Sequence, residues 1–254
     1  MLQFQPQQMR QLTAASLGNF VTELALHLRA FSPAHVASLD PAVLRQVIDF
    51  GTARAEHHGF SLRGPIRFYV EMMFMLGSHF DTDPQYRELL GPLHRRDDSS
   101  EMERADELHR RLMHYAEATG GPRHVFEALA LERALGVRDD SVGAFADRPP
   151  QALVEVLQAI HPEKVECIGR AAVLELVQQA FAAALQRNPA WHGAGPLFAG
   201  LMFTLGHGCL VDPQYGWIAQ GLGGYGATAA DAPQRLFRTF MAFLFKCRSN
   251  LGGR

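Results

Sequence analysis

Apolar residues recur along most of this chain at spacings of three and four, which is the period of an amphipathic α-helix. The clearest stripe consists of Leu44, Val47, Ile48, Gly51 and Ala55. No segment sustains the alternation of apolar and polar residues that is typical of a half-buried strand. The pattern therefore predicts an all-α fold without a β-sheet.

The same pattern occurs twice in the chain. Residues 73–86 have the sequence MFMLGSHFDTDPQY, residues 202–215 have MFTLGHGCLVDPQY, and eight of these fourteen positions are identical. Unrelated segments of this length would share roughly one position, so the match indicates a tandem repeat with an offset of 129 residues. The apolar stripe is repeated at the same offset by Val173, Leu176, Val177, Ala180 and Ala184.

Each copy is predicted to contain four helices. The predicted ranges are 12–31, 41–58, 64–78 and 101–118 in the first copy, and 150–160, 168–187, 194–207 and 231–247 in the second. A connector helix is predicted near 124–135, followed by a loop over 137–150. The domains are therefore a first helical unit, 1–120, and a connector helix with a second unit, 121–254. We expect these two similar four-helix units to pack with pseudo-twofold symmetry.

Short polar residues followed by proline mark several predicted helix starts, because the side chain can accept a hydrogen bond from the first turn and proline has a helical φ. These pairs are Ser32-Pro33, Asp40-Pro41, Asp83-Pro84 and Asp212-Pro213. Ser100 followed by Glu103 predicts a capping box. Gly77 and Gly206 are predicted to end the third helix of each copy, and the glycine-rich segment 221–224 is predicted to be a loop.

Composition narrows the function classes. The 254 residues are 47% hydrophobic and carry a net charge of -2, so there is no general attraction to nucleic acid or to an anionic membrane. The three cysteines are far apart in sequence, which favours neither a disulfide framework nor a cysteine metal site. No secretory signal and no membrane-spanning run is evident, so we predict a cytoplasmic protein with no nucleic-acid or membrane partner.

The repeated Asp-Pro-Gln-Tyr motif, at 83–86 and 212–215, is the most conspicuous candidate for chemistry. Its aspartates are interpreted as helix caps and its tyrosines as buried rings. The alternative is a metal-dependent enzyme that uses His79, Asp81, Asp83 and His57 as ligands or acids. The second copy has Gly208 and Leu210 where the first has His79 and Asp81, so such a site belongs to one copy at most. We predict no catalytic residue, no metal and no cofactor.

The first unit resembles a group of uncharacterised bacterial helical proteins that are encoded near type VI secretion and polymorphic-toxin genes. The resemblance covers roughly residues 1–118 and rests on segments 8–12, 27–29, 31–33, 51–56, 73–74, 76–77 and 80–84, together with Gly59. The second unit matches only at 202–203, 205–206 and 212–213, and it departs from the group where Ala180 to Ala184 replace the Gly-x-x-Arg-Ala stretch. The resemblance implies an immunity protein, or an adaptor or chaperone, that binds a secreted toxin or effector.

We therefore predict a non-enzymatic protein whose partner is a toxin or effector protein. The predicted contact residues follow the third helix of the first unit, and they are Asp81, Asp83, Arg87, Glu88, Arg95 and Arg96. A further alternative is a structural homodimer. Its interface would use apolar residues of the second unit, with Trp217, Phe243 and Phe245 as candidates.

Overall fold

A computed structural model describes residues 6–95, 98–138, 148–223 and 231–251, while the side chains of residues 6–17 and of His192 lie outside this description. Within these ranges the regular elements are α-helices and short 3-10 helices, and no strand is present. The predicted all-α fold is therefore confirmed.

The helices fall on either side of Gly121. The helices of the first unit are α1 (Pro6–Phe31), α2 (Pro33–Val36), α3 (Pro41–His57), α4 (Arg63–Leu76) and α5 (Glu101–Gly120). The connector helix is α6 (Val125–Leu135). The helices of the second unit are α7 (Pro150–Ile160), α8 (Pro162–Ile168), α9 (Arg170–Arg187), α10 (Gly195–Leu205), α11 (Gly216–Gly223) and α12 (Ala232–Leu251).

Two separate apolar cores hold these helices together. The first is built from side chains between Phe20 and Leu112, and the second from side chains between Leu153 and Leu244. Both copies of the predicted stripe are buried, and Val47 and its counterpart Leu176 are each 0% exposed. The connector helix packs Leu131 and Leu135 against the second core. Packing with pseudo-twofold symmetry stays a prediction, and the reciprocal contacts described below favour it.

The predicted caps have mixed outcomes. Asp40 accepts a hydrogen bond from the backbone N–H of Ala42, and Ser100 and Glu103 form the predicted capping box. Ser32 precedes α2, but its side chain makes no capping hydrogen bond. That prediction was wrong because sequence shows where a cap can lie, and not whether its rotamer reaches the free N–H groups.

The prediction of a loop at the glycine-rich segment 221–224 was also wrong for its described residues. Gly221 to Gly223 form the last turn of α11, and Gly224 lies outside the described residues. Helix α11 buries Ile218 completely in the second core, and a Cβ at Gly221 would lie 3.3 Å from the side chain of Leu236 on α12. Burial against α12 thus outweighs the low helix propensity of glycine.

Among the described residues, no single helix is both long and apolar enough to cross a membrane. Helices α8 and α9 meet the length and composition criterion only as a pair, and they are bent by 101° relative to each other.

Candidate functional site

The two copies of the Asp-Pro-Gln-Tyr motif connect the two units. Asp212 accepts hydrogen bonds from the backbone N–H and the hydroxyl of Ser78, both at 2.7 Å. Asp83 accepts a hydrogen bond of 2.6 Å from the backbone N–H of His207. His207 is the counterpart of Ser78 at the offset of 129 residues, so each motif binds the helix end of the other copy.

The glutamines of the motif repeat this exchange. The Gln85 side-chain amide donates to the carbonyl of Met202, and the Gln214 side-chain amide donates to the carbonyl of Met73, both at 3.0 Å. Met73 and Met202 are counterparts in the two copies. In an isologous interface between two like units, a contact from one unit to the other is matched by the equivalent contact in the opposite direction. The contacts of the two motifs have this property.

The same junction needs glycine at two positions. Gly77 and Gly206 end α4 and α10 with positive φ values of 95° and 92°, as predicted for helix ends. A Cβ on Gly77 would lie 2.5 Å from the carbonyl oxygen of Leu205, and one on Gly206 would lie 2.7 Å from that of Leu76. The backbones of the two units therefore approach each other too closely for any side chain.

The interpretation of the motif aspartates as caps is confirmed, since Asp83 and Asp212 also accept from the backbone N–H groups of Gln85 and Gln214. The helices that they cap are single 3-10 turns. The Asp83 side chain is 0% exposed, so its proposed contact with a protein partner is corrected. Its carboxylate is used inside the molecule, where it joins the two units.

Asp81 forms a buried ionic cluster in the first unit alone. Its Oδ2 atom accepts hydrogen bonds of 2.9 Å from Arg54 Nε and from His58 Nε2, and its side chain is 0% exposed. The His58 ring stacks on Tyr69 at 5.9 Å and meets the His94 ring edge-on at 5.5 Å. Asp81 thus presents no carboxylate at the surface, which corrects its assignment as a partner contact.

The charge state of this cluster follows from its neighbours. Burial alone would raise the pKa of Asp81, but the hydrogen bond from His58, the neighbouring Tyr69 hydroxyl and the charge of Arg54 outweigh it and lower this pKa to about 2. Asp81 is therefore ionised at neutral pH. An ionised Asp81 neutralises the half-buried Arg54 guanidinium, which makes the cluster a structural ion pair with a histidine at its side.

The structure does not bring His79, Asp81, Asp83 and His57 together as one site. Asp81 faces Arg54 and His58, while Asp83 faces the second unit. His79 packs against Phe50 at 5.2 Å between ring centroids. Within the described ranges, no group of three or more His, Cys, Asp or Glu side chains is placed to hold a metal ion.

A cleft of about 1070 Å³ lies between the two units beside the first motif. We call it the inter-unit cleft. One wall is the outer face of α5, the other is α8 with the start of α9, and residues 84–89 form its base. Residues 87–89, which follow the first motif, therefore lie beside the second unit.

The walls of the inter-unit cleft carry opposite charges. Arg110, Arg111 and His114 line the α5 wall, and Glu163 and Glu166 line the α8 wall. The Arg110 side chain is 72% exposed and, among the described residues, pairs with Glu107 of its own helix, which also pairs with Arg111. The cleft is therefore polarised, with a basic side from the first unit and an acidic side from the second.

The thiol of Cys167 also lines the cleft. Partial burial and the neighbouring charge of Glu88 raise its pKa, which outweighs the lowering effect of Lys164. A thiol with a raised pKa remains protonated at neutral pH and is a poor nucleophile. Cys167 thus offers contact surface in the cleft rather than a reactive group.

Three of the four remaining predicted partner contacts, Arg87, Glu88 and Arg95, are at the surface. Arg87 and Glu88 line the inter-unit cleft, and Arg87 makes two hydrogen bonds of 3.0 Å to Glu175 of the second unit. Arg95 is exposed, and Arg96 lies outside the described residues. The α5 and α8 residues of the cleft were missed because only folding brings these two distant segments together.

The candidates for a homodimer interface are divided between core and surface. Trp217 and Phe243 stack on each other at 5.4 Å and pack against the second core. The Phe245 side chain is 65% exposed. Trp217 and Phe243 are each partly exposed, so a homodimer interface that uses all three residues stays a prediction.

Comparison with known proteins found no match to any family model, to any curated protein or to any solved structure.

Proposed function

We propose that this protein binds another protein through the inter-unit cleft, and that it does so without catalysing a reaction. The observation that carries this proposal is the opposed charge of the two cleft walls. A volume of about 1070 Å³ lies at the upper end of small-molecule pockets, which hold roughly 300–1,000 Å³. A segment of a partner polypeptide fits such an open, charged cleft better than a small apolar molecule does.

The charges also indicate the chemistry of that segment. Acidic side chains of the partner would face Arg110 and His114, and basic ones would face Glu166. Complementary charges of this kind speed association and fix the orientation of a partner. The apolar part of the contact is supplied by Phe126 and Ile168, which also line the cleft.

The resemblance of the first unit to proteins encoded near secretion and toxin genes supports a toxin or effector as the partner class. On this proposal the protein acts in the cytoplasm, either as an immunity protein that neutralises a toxin or as an adaptor that delivers an effector. The contact surface belongs to both units, because the α8 wall comes from the second.

The test is affinity capture from the source organism with tagged protein, followed by mass spectrometry and by titration of the purified partner. Three proteins are compared: the unchanged chain, the double variant Arg110→Glu/Glu166→Arg, and the control Arg45→Glu. Arg45 is a matched control because it too is exposed and paired along its own helix, with Asp49, but on α3.

We expect one partner to be captured by the unchanged chain and by the control, and its affinity for the double variant to fall at least tenfold. Rescue of cells that express this partner would then identify an immunity protein, and absence of toxicity would identify an adaptor. Equal affinity for all three proteins, or capture of no partner, contradicts the proposal.

A further inference from the structure

The chain contains only two lysines, Lys164 and Lys246, among 24 lysine and arginine residues. Lys246 is exposed, but Lys164 is only 8% exposed. Its ammonium group donates to the backbone carbonyl of Phe203 and lies 4.5 Å from the centre of the Phe203 ring. An ammonium group has three N–H donors, so these contacts use only part of its capacity.

Lys164 lines a cavity of about 400 Å³, which we call the Lys164 pocket. The pocket lies where α4 and α5 of the first unit meet the connector helix and the second unit. Its wall is mainly apolar and aromatic, with Leu76, Leu112, Leu131 and Leu244 among its side chains. This size and lining are those of a pocket for a small organic molecule, roughly 300–1,000 Å³ and apolar with few polar groups.

Besides Lys164, the pocket is lined by the phenols of Tyr86 and Tyr115, which can donate hydrogen bonds, and by the polar side chains of Thr119, Thr204, His124 and His161. Tyr86 and Tyr115 contribute hydroxyls whose pKa values are raised by burial, so both remain protonated. The one carboxylate in the lining, Glu127, is half exposed and lies 3.1 Å from His124. An ammonium group and two phenols in an apolar wall form a receptor for an anion with an apolar body.

The equivalent position of the other copy shows that a buried lysine is not needed for packing. His35 is the counterpart of Lys164, and its Nε2 atom donates to Gln214 Oε1 at 3.1 Å. The His35 ring packs between Phe74 and Tyr215 at 5.6 and 5.8 Å. On the lysine side the matching acceptor, Gln85 Oε1, is buried without a hydrogen-bond partner among the described residues.

Burial also makes Lys164 costly. Desolvation lowers its pKa to about 8, and this effect outweighs the opposing charges of Asp83 and Glu127. A ligand with a negative charge would stabilise the ammonium form, and the lost hydration would be replaced by an ion pair.

We propose that the Lys164 pocket binds a small apolar carboxylate, whose carboxylate group pairs with Lys164 and whose hydrocarbon body fills the apolar wall. The proposed carboxylate binding does not require the protein partner, because Lys164 lines the pocket and not the inter-unit cleft, although Tyr115 lines both.

The test is calorimetric titration of the full chain with hexanoate, octanoate and decanoate, and with decanamide as the uncharged control. We expect the carboxylates to bind with one molecule per chain, and the affinity to rise about fourfold per added methylene until the pocket is full. Decanamide should bind at least tenfold more weakly than decanoate.

The variant Lys164→Met preserves the size of the side chain and removes its charge. We expect it to lose at least tenfold in affinity for decanoate, while the matched variant Lys246→Met keeps the affinity of the unchanged chain. In addition, ¹⁵N-lysine labelling yields one amine signal per lysine, and decanoate should shift the Lys164 signal alone.

Failure of the unchanged chain to bind any of the carboxylates, equal affinity for decanoate and decanamide, or unchanged binding by Lys164→Met would each overturn the proposal. The NMR measurement uses the unchanged chain and therefore holds even if a variant fails to fold.

Discussion

The junction between the units and its flanks differ in how far the two copies have diverged. At the junction, Asp83 and Asp212 play the same part, and each accepts a hydrogen bond from the backbone N–H that follows the third helix of the other copy. Beside it, the Asp81 cluster of the first copy has an apolar counterpart at Leu210, and the buried Lys164 has His35 as its counterpart. The two copies thus make the same hydrogen bonds across the junction. The residues beside the junction differ in chemistry between the copies.

This comparison supports a structural role for the conspicuous motif. The motif is repeated in both copies because both have the same requirement. Each copy has backbone N–H groups that need a hydrogen-bond acceptor where the two units approach closely. The polarised cleft and the Lys164 pocket, in contrast, contain charged residues that are not matched by lining residues of the other copy in the described part of the chain. Each draws residues from both units, so neither exists in a single copy.

The largest expected effect comes from the junction. Asp83→Ala and Asp212→Ala should each lower the free energy of unfolding by about 3 kcal/mol, because each leaves buried N–H groups without an acceptor. Together the two changes should cost roughly 6 kcal/mol, enough to unfold a domain of ordinary stability. Urea unfolding measures these changes in the free energy of unfolding.

The control Asp40→Ala removes an exposed cap within one unit and should cost about 1 kcal/mol. Equal losses of stability at all three positions would contradict the claim that Asp83 and Asp212 join the two units.

The next effect tests the one-sided Asp81 cluster. Asp81→Asn should cost about 3 kcal/mol, because it leaves a half-buried guanidinium without its charge partner. The double variant Arg54→Ala/Asp81→Leu copies the residues of the second unit, Ala183 and Leu210, and should lie within about 1 kcal/mol of the unchanged chain. A double variant less stable than Asp81→Asn would show that the cluster is needed for folding.

The pH dependence of this effect has a definite sign. The pKa of Asp81 is lower in the folded chain, about 2 against 3.8, so its contribution is complete above about pH 4 and is lost as the pH falls towards 2. The free energy of unfolding of the unchanged chain should therefore fall as the pH is lowered from about 4 towards 2. The double variant should not show this loss, because it lacks Asp81.

A smaller effect of opposite sign is expected at Lys164. Lys164→Met should stabilise the protein by about 2 kcal/mol at pH 7, because it removes a desolvated charge. The folded pKa of about 8 is below the ordinary 10.5, so the unfolded chain binds more protons between these values. Stability of the unchanged chain should thus rise with pH over this window, and the rise should be absent in Lys164→Met. Thermal unfolding at several pH values tests both statements, and destabilisation by Lys164→Met would contradict them.

The smallest effect concerns the exposed ion pair between Arg87 and Glu175. Its side chains are 67% and 40% exposed, so Arg87→Ala should change the free energy of unfolding by at most about 0.5 kcal/mol. A loss above 1 kcal/mol in urea unfolding would show that this pair, rather than the buried motif, holds the units together.

Local sequence information predicted much of the fold. The stripe from Leu44 to Ala55 and its copy gave the right buried faces because helical periodicity is a local property. The caps at Asp83 and Asp212 were predicted because proline and a short acceptor lie next to each other. The second acceptor role of each aspartate was missed, because its donor is more than 120 residues away.

The candidate sites were harder to predict for the same reason. The inter-unit cleft and the Lys164 pocket each join segments that are distant in sequence, and neither contains a compact motif. One signal was present for Lys164, since a chain with two lysines places one of them opposite a histidine in the internal alignment. Burial of Asp81 carried no such signal, because an acidic residue after a helix is usually exposed.

The central claim is that the aspartate of each motif accepts a hydrogen bond from the backbone of the other unit. Amide hydrogen exchange tests it most directly. Asp212→Asn should accelerate exchange of the Ser78 amide at least tenfold relative to that of His207, because Ser78 loses its carboxylate acceptor. Asp83→Asn should do the reverse, with faster exchange at His207 and little change at Ser78. This crossed pattern is what the account predicts. Exchange at Ser78 that does not depend on Asp212, or equal acceleration at both amides in both variants, would contradict it.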